Sequence, residues 1–235
     1  MFPQKYFMIR KFFRLIFKFF VVLVIFSAVL TAVYAYVGPP LTPLMVIRMV
    51  EAWTEGRHVG IDKEWVTYDE VSPHVFKAIM SAEDARFLSH KGFDWKAIEA
   101  AQKRNERARG KKLYGASTIS MQTAKNVFLF PARSYIRKGL EAYFTVLIEA
   151  VWGKKRILEV YVNVVEWGEG VYGVEAASQK YFGKPASALT AREAALMAAV
   201  LPNPRRWTPS APTAYIKKRS SFIQARMPSI RLPKD

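Results

Sequence analysis

An acid, Glu83, stands where the local pattern asks for a core residue. The segment 72–92 predicts a helix, with Ser72 as N-cap, Pro73 in the first turn and Gly92 just past the end. Phe76, Ile79, Met80 and Phe87 recur at helical spacing, and Glu83 falls within their stripe. Asp84 is rotated by about 100° toward the flank. A carboxylate on an apolar stripe is costly to ionise, so its pKa is expected to rise toward the range useful for proton transfer. The plainer alternative is a Glu at the rim of the stripe, reaching water or paired with Arg86.

Other segments concentrate polar side chains. Residues 115–126 bring Ser117, Thr118, Gln122, Lys125 and Asn126 together behind Gly115, where backbone could approach a ligand. Ser117 or Thr118 is expected to cap a helix, and Gln122 and Lys125, at i and i+3, share a face able to hold a phosphate. Residues 133–142 carry Arg133, Arg137, Lys138 and Glu141. Arg137 and Glu141 at i,i+4 suit a solvated surface pair, while three cations in six residues suit a diphosphate clamp. The segment 154–163 reads as structural, two cations followed by an apolar stripe.

Several chemistries find no support. GEGVYG (168–173) matches a dinucleotide-binding glycine pattern, but the run before it has helical spacing and no βαβ unit surrounds it. Its glycines are expected to turn the chain into a helix over 174–184 that Gly183 ends. HExxH, Ser-x-x-Lys and GxSxG patterns are absent, and His58, His74 and His90 are too scattered to assign a metal site. There is no cysteine, hence no disulfide framework or thiolate site.

The elements that must position these residues are helices. A second helix is expected from Asp94 into 103–112, a charge-dense stretch with little to bury that reads as mobile or frayed. Residues 135–152 place Ile136, Leu140, Phe144, Leu147, Val151 and Trp152 on one face, and 154–165 place Ile157, Leu158, Tyr161, Val162 and Val165. Thr190 to Glu193 form a capping box, Pro202 stops the helix that follows, and a weaker helix covers 212–227. Alternating patterns never extend beyond a few residues, so the fold class is mainly α.

Residues 19–37 are uncharged and long enough to span a bilayer core of ~30 Å. Lys5, Arg10, Lys11, Arg14 and Lys18 precede them without an acid, which puts the N-terminus in the cytoplasm and the rest across the membrane. A cleaved signal peptide is the rival, disfavoured by the length of the run and by the Gly38-Pro39-Pro40 context. Of the net charge of +17, the five arm cations leave +12 on the remainder. Such a domain is attracted to anionic membranes and phosphate-bearing ligands, and its side of the membrane argues against nucleic acid. The division expected is 1–18 a basic arm, 19–37 the span, 38–64 a linker and lead-in, 65–208 the functional domain and 209–235 a basic tail.

Taken together, EDARFLSHKG (83–92), GASTISMQTAKN (115–126), RKGLEA (137–142), KRILEVYVN (155–163) and GVEAASQKYFGK (173–184), followed by EAALMAAVLPNP (193–204), resemble the peptidoglycan glycosyltransferase family. With one anchor and no transpeptidase pattern, the likeness is to its monofunctional members. The resemblance implies a lysozyme-like lobe with a smaller jaw near the membrane, and polymerisation of lipid II into β-1,4 glycan with release of undecaprenyl diphosphate. It implies Glu83 as general base and Glu141 as the second important carboxylate. Asp84, Phe87, Ser117, Gln122, Lys125, Asn126, Arg133, Arg137 and Lys138 are implied as substrate-binding positions or their support. Met121 departs from the two adjacent glutamines that many members carry. The resemblance implies no organic cofactor and leaves room for a divalent cation, Mg or Mn, at the diphosphate. Implied partners are the bacterial inner membrane and other cell-wall or division proteins, with the domain in the periplasm. The alternatives are a lytic enzyme of lysozyme type, which would have little use for a cluster of diphosphate-binding cations, and a membrane-tethered scaffold whose basic face binds anionic lipid or a cell-division partner.

Overall fold

The computed structural model describes residues 3–108, 114–131 and 134–234, with the side chains of 3–7 and 9 set aside. Two compact units divide at Val37 and Gly38. The first contains helix α1, Pro3–Tyr34, of which Arg10–Tyr34 is long and apolar enough to cross a membrane. The helix thus begins well before residue 19 and stops at Tyr34, short of the expected 37. Its apolar side chains from Phe12 to Val33 are exposed, as in a lipid-facing helix and unlike a core helix.

The second unit, 38–235, is mainly α, as expected. Its helices are α2 (Pro43–Thr54), α3 (Pro73–Glu83), α4 (Trp95–Ala108), α5 (Ile119–Phe128), α6 (Tyr135–Val151), α7 (Gly153–Val164), α8 (Val174–Phe182), α9 (Ala191–Val200) and α10 (Ala214–Arg226). Three short strands, β1 (Asp62–Lys63), β2 (Glu166–Gly168) and β3 (Val171–Tyr172), form a sheet in the order β1-β3-β2. β1 runs parallel to β3 with Asp62 opposite Val171, and β2 is antiparallel to β3 with a bulge between Glu166 and Gly168. The GEGVYG stretch is this hairpin turn, with Gly170 and Gly173 at positive φ, and Gly183 ends α8 in the left-handed region.

Helix α9 sits between α3 and α10. Ala194, Ala195, Ala198 and Ala199 are buried, and side chains that small let both neighbours approach closely. Its N-terminus is the expected capping box, Thr190 accepting from the Glu193 amide and Glu193 from the Thr190 amide. Residues 209–235, set apart in the sequence as a basic tail, hold α10, which packs on α3 and α9 and buries Ile216 and Ile223. On the other side, α5 packs on α6 and α7, and Tyr161 and Trp167 are wholly buried there.

Three sequence expectations need correction. The helix over 72–92 stops at Glu83, because Asp84 at φ −160° leaves helical geometry to serve partners elsewhere, and Phe87–Ser89 form a separate 3-10 turn. The charge-dense 103–108 stretch continues α4 as helix, with Lys103 paired to Glu99 one turn back; residues 109–112 lie outside the described residues. The apolar stripe of α6 does not face inward along its length. Ile136 is 80% exposed and Leu140 40%, while Glu141, Thr145 and Ile148 form the buried face.

Candidate functional site

Glu83 ends α3, its side chain 17% exposed. Its Oε2 accepts a hydrogen bond from Nε2 of Gln122 at 3.0 Å, and its Oε1 lies 3.5 Å from a guanidinium nitrogen of Arg219. Arg86, the pairing partner that the plainer reading offered, bonds Asp94 instead, 2.9 Å from Nε to Oδ2. Gln122 is itself fixed from behind. The hydroxyl of buried Tyr161 donates to Gln122 Oε1 at 3.3 Å, leaving the amide nitrogen for Glu83. Gln122 therefore serves the carboxylate, while its side chain also lines the same depression as Lys125.

Asp84 and Phe87 support this corner from inside. The Asp84 carboxylate contacts His90 Nε2 at 3.1 Å and accepts from the Ile119 amide at 3.1 Å. That places a negative charge at the N-terminus of α5, where free amides and the helix dipole favour it. Thr118 caps the same helix, accepting from the Met121 amide at 3.2 Å and donating to the Gly92 carbonyl at 2.6 Å. Gly92 sits at φ +86°, and a Cβ there would lie 2.6 Å from Thr145 Cγ2. Phe87 is wholly buried, with Lys154 Nζ 4.4 Å from its ring centre. Lys154 also pairs with Glu149 at 2.6 Å, which gives the structural segment 154–163 a supporting link to this loop.

The cations collect around Glu141. Arg137 reaches it at 2.7 Å and Lys138 bonds its other oxygen. The Arg137–Glu141 pair is buried, at 15% and 4% side-chain exposure, so the solvated surface pair is corrected. Lys138 extends outward, and its Nζ lies 3.5 Å from exposed Ser117 Oγ. Lys125 stands near this group, and burial holds its ammonium below the usual lysine range. Glu141 and Glu83 oppose that shift, and Arg137 and Lys138 add to it. Arg133 lies outside the described residues. Gly115 has open space around its Cβ position and needs no special backbone angle.

Glu83 lines one depression and Gln122 another. One of about 380 Å³ is lined by Glu83, Arg86, Ser117 and Arg226 among others. The other, of about 610 Å³, is lined by Gln122, Lys125, Asn126, Arg137, Arg48 and Glu166 among others. Glu166 went unnoticed in the sequence; burial pushes its carboxyl above the usual range, against the pull of Arg48 and Arg205. Asn126 is buried at the edge of this depression, and Met121, 5% exposed, faces the interior. The position of the missing second glutamine therefore does not face the cleft.

A divalent cation finds poor accommodation in these donors. Asp84, His90 and Asp94 bring ligand atoms within 4.8 Å of one another. Asp94, however, is bound by Arg86 and by the Ala97 amide, and Asp84 by the Ile119 amide. Both oxygens of Glu141 are taken by cations. A metal at either place would have to displace positive charge or a helix cap.

The sequence passed over Tyr161 and Arg219. The phenol of Tyr161 was counted in an apolar stripe, and Arg219 lay among basic residues with no local sign of inward direction.

A family model described as Transglycosylase matches residues 52–228, which takes in α10. A biosynthetic peptidoglycan transglycosylase of Rhodospirillum centenum is 54% identical over 198 residues, covering 84% of this chain and 83% of that protein. One from Caulobacter vibrioides is 50% identical over 218 residues, covering 93% and 92%. One from Bdellovibrio bacteriovorus is 56% identical over 194 residues, covering 83% and 77%. Glu83, Gln122, Lys125, Arg137, Glu141 and Arg219 all lie within the matched region, and the chain belongs to the transglycosylase family of glycosyltransferases.

Proposed function

We propose that the protein polymerises lipid II, a lipid-linked disaccharide-pentapeptide, into β-1,4 glycan strands of peptidoglycan. Glu83 takes the proton from the 4-hydroxyl of the acceptor N-acetylglucosamine. The oxygen then attacks the anomeric carbon of the donor N-acetylmuramic acid and inverts it. The bond from that carbon to the lipid diphosphate breaks, and its electron pair leaves with undecaprenyl diphosphate. Lys125, Arg137 and Lys138 take up the charge on the leaving diphosphate, with Arg133 joining them by resemblance. Glu141 orders those cations and is not needed as an acid, since a diphosphate leaves unprotonated. No step needs a protein-bound metal, given how the nearby carboxylates are committed.

One observation carries the reading: a carboxylate held by Gln122 at 3.0 Å, with Gln122, Lys125 and Arg137 lining a single depression. A base in one depression, joined through Gln122 to an anion-neutralising cluster in the next, suits transfer from a diphosphate donor. A lytic enzyme would have little use for the cations. The exposed Phe130, Tyr135, Ile136 and Leu140 beside them suit a substrate whose lipid stays in a membrane. We assign α1 as an uncleaved anchor in the bacterial inner membrane with its N-terminus in the cytoplasm, following its flanking cations.

Purified protein given defined lipid II should make polymer and should leave finished wall uncut. Glu83→Gln should remove the ~10²–10⁴-fold typical of a positioned base, with fold and substrate binding retained. Near wild-type turnover by a folded Glu83→Gln protein would remove Glu83 from the chemistry, and cutting of finished wall would replace the polymerase by the lytic reading.

A further inference from the structure

We propose that Arg219, on the C-terminal helix α10, is a positioning residue for the reaction, holding the second oxygen of Glu83 so that the carboxylate stays aimed between turnovers. The inference rests on the reading of Glu83 as the base.

Gln122 holds one oxygen of Glu83 at 3.0 Å from α5, and Arg219 approaches the other at 3.5 Å from α10. The carboxylate is thus approached from two elements, α5 and α10, that lie far apart in sequence. Arg219 shares the inward stripe of α10, three residues after Ile216 and four before Ile223, both buried. Ser81, two residues before Glu83, donates to the Ile223 carbonyl at 3.2 Å, so the stretch of α3 carrying the base is tied to the helix carrying Arg219.

The stripe position is expensive for an arginine. Its side chain is 27% exposed, and its Nε is buried without a hydrogen-bond partner. A long cation set inward with one donor unsatisfied adds little to packing. At 3.5 Å the guanidinium is at the outer limit of a hydrogen bond. It attracts the ionised carboxylate without closing it into a tight bidentate pair, so Oε1 remains open to a hydroxyl in the smaller depression.

The test uses the full-length protein in detergent or vesicles with lipid II, and follows kcat and KM for Arg219→Gln, Arg219→Lys and the exposed control Lys218→Gln. The expected result is a kcat about tenfold lower for Arg219→Gln with KM within twofold, since substrate diphosphate is bound elsewhere. Arg219→Lys should recover most of kcat, and Arg219→Ala, measured with and without added guanidinium, should be partly restored by it. Lys218→Gln should match wild type. An unchanged kcat in a folded Arg219→Gln protein would overturn the proposal. So would a kcat loss that neither lysine nor guanidinium relieves, the mark of a packing role. Glu83→Gln, measured alongside, separates the two readings: if that variant still turns over, the base assignment has failed. If it is inactive while Arg219→Gln is normal, only the role of Arg219 has failed.

Discussion

The Tyr161 hydroxyl lies 3.3 Å from the side-chain oxygen of Gln122, and that contact decides which end of the amide meets Glu83. Without it, the amide could turn its oxygen toward the carboxylate, placing two acceptors face to face. A fully buried phenol on α7 therefore orients the side chain of α5 that holds Glu83.

Tyr161→Phe tests this at nearly constant volume. Loss of one neutral hydrogen bond is worth ~0.5–1.5 kcal/mol, so turnover should fall about 2- to 12-fold. Thermal unfolding should move by only a few degrees. Steady-state kinetics with lipid II beside a melting curve would check it; unchanged turnover would mean that Gln122 is oriented by other means.

Lys125 predicts an alkaline limit. Its ammonium is held below the usual lysine range chiefly by burial, so its charge is lost as pH rises through a value lower than that of an exposed lysine. In the window between the folded and unfolded values the folded state binds fewer protons, so stability is gained as pH rises there and is least below it. Activity should move the opposite way: kcat/KM should decline on the alkaline side earlier than an ordinary lysine would allow. A pH profile of kcat/KM for wild type and Lys125→Gln would show the limb in the first and its absence in the second.

Cations of the cleft and of the surface should separate by salt. Lys125 and Lys138 stand in or beside a partly dry cluster around Glu141, whereas Lys103, Arg104 and Arg107 are exposed on α4. Neutralising Lys125 or Lys138 should cost turnover tens of fold at every salt concentration, on the scale of a charged hydrogen bond of ~1.5–3 kcal/mol. Neutralising the α4 set should weaken vesicle binding at low salt and matter little once the Debye length is ~8 Å or less. Rates on anionic vesicles across a salt series distinguish the two; identical responses would leave the cluster as a membrane-binding surface.

Gly92→Ala should destabilise by on the order of 2–5 kcal/mol. The left-handed φ costs about 1–2 kcal/mol for a residue with a side chain, and crowding against Thr145 adds about 1–3. Denaturant midpoints would check this. Full stability would show that the loop between α3 and α4 relaxes.

The helices and the acids were legible because periodicity and capping are local properties. Ser72, Thr118, Thr190 and Gly183 mark ends that the structure keeps. What stayed hidden depends on contacts between distant segments. The inward face of α6 is set by the cations that Glu141 gathers, so Ile136 and Leu140 fall outside despite forming the better stripe. The contact of Gln122 with Glu83 was out of sight because the two are 39 residues apart. Arg219 could not be told from the lysines around it, because the helix that turns it inward is placed by α3 and α9.

The paired anchors at Asp84–Ile119 and Thr118–Gly92 staple together the two ends of the chain that flank α4 and Tyr114 to Ser117. Closing such a loop costs only ~0.6 kcal/mol for each doubling of its length, and the staple does not change as it grows. The stretch between those ends can therefore be lengthened, shortened or rewritten in sequence without disturbing the spacing between Glu83 and Gln122. Variation in how this wall of the cleft handles sugar or lipid has a place to accumulate while the chemistry stays constant.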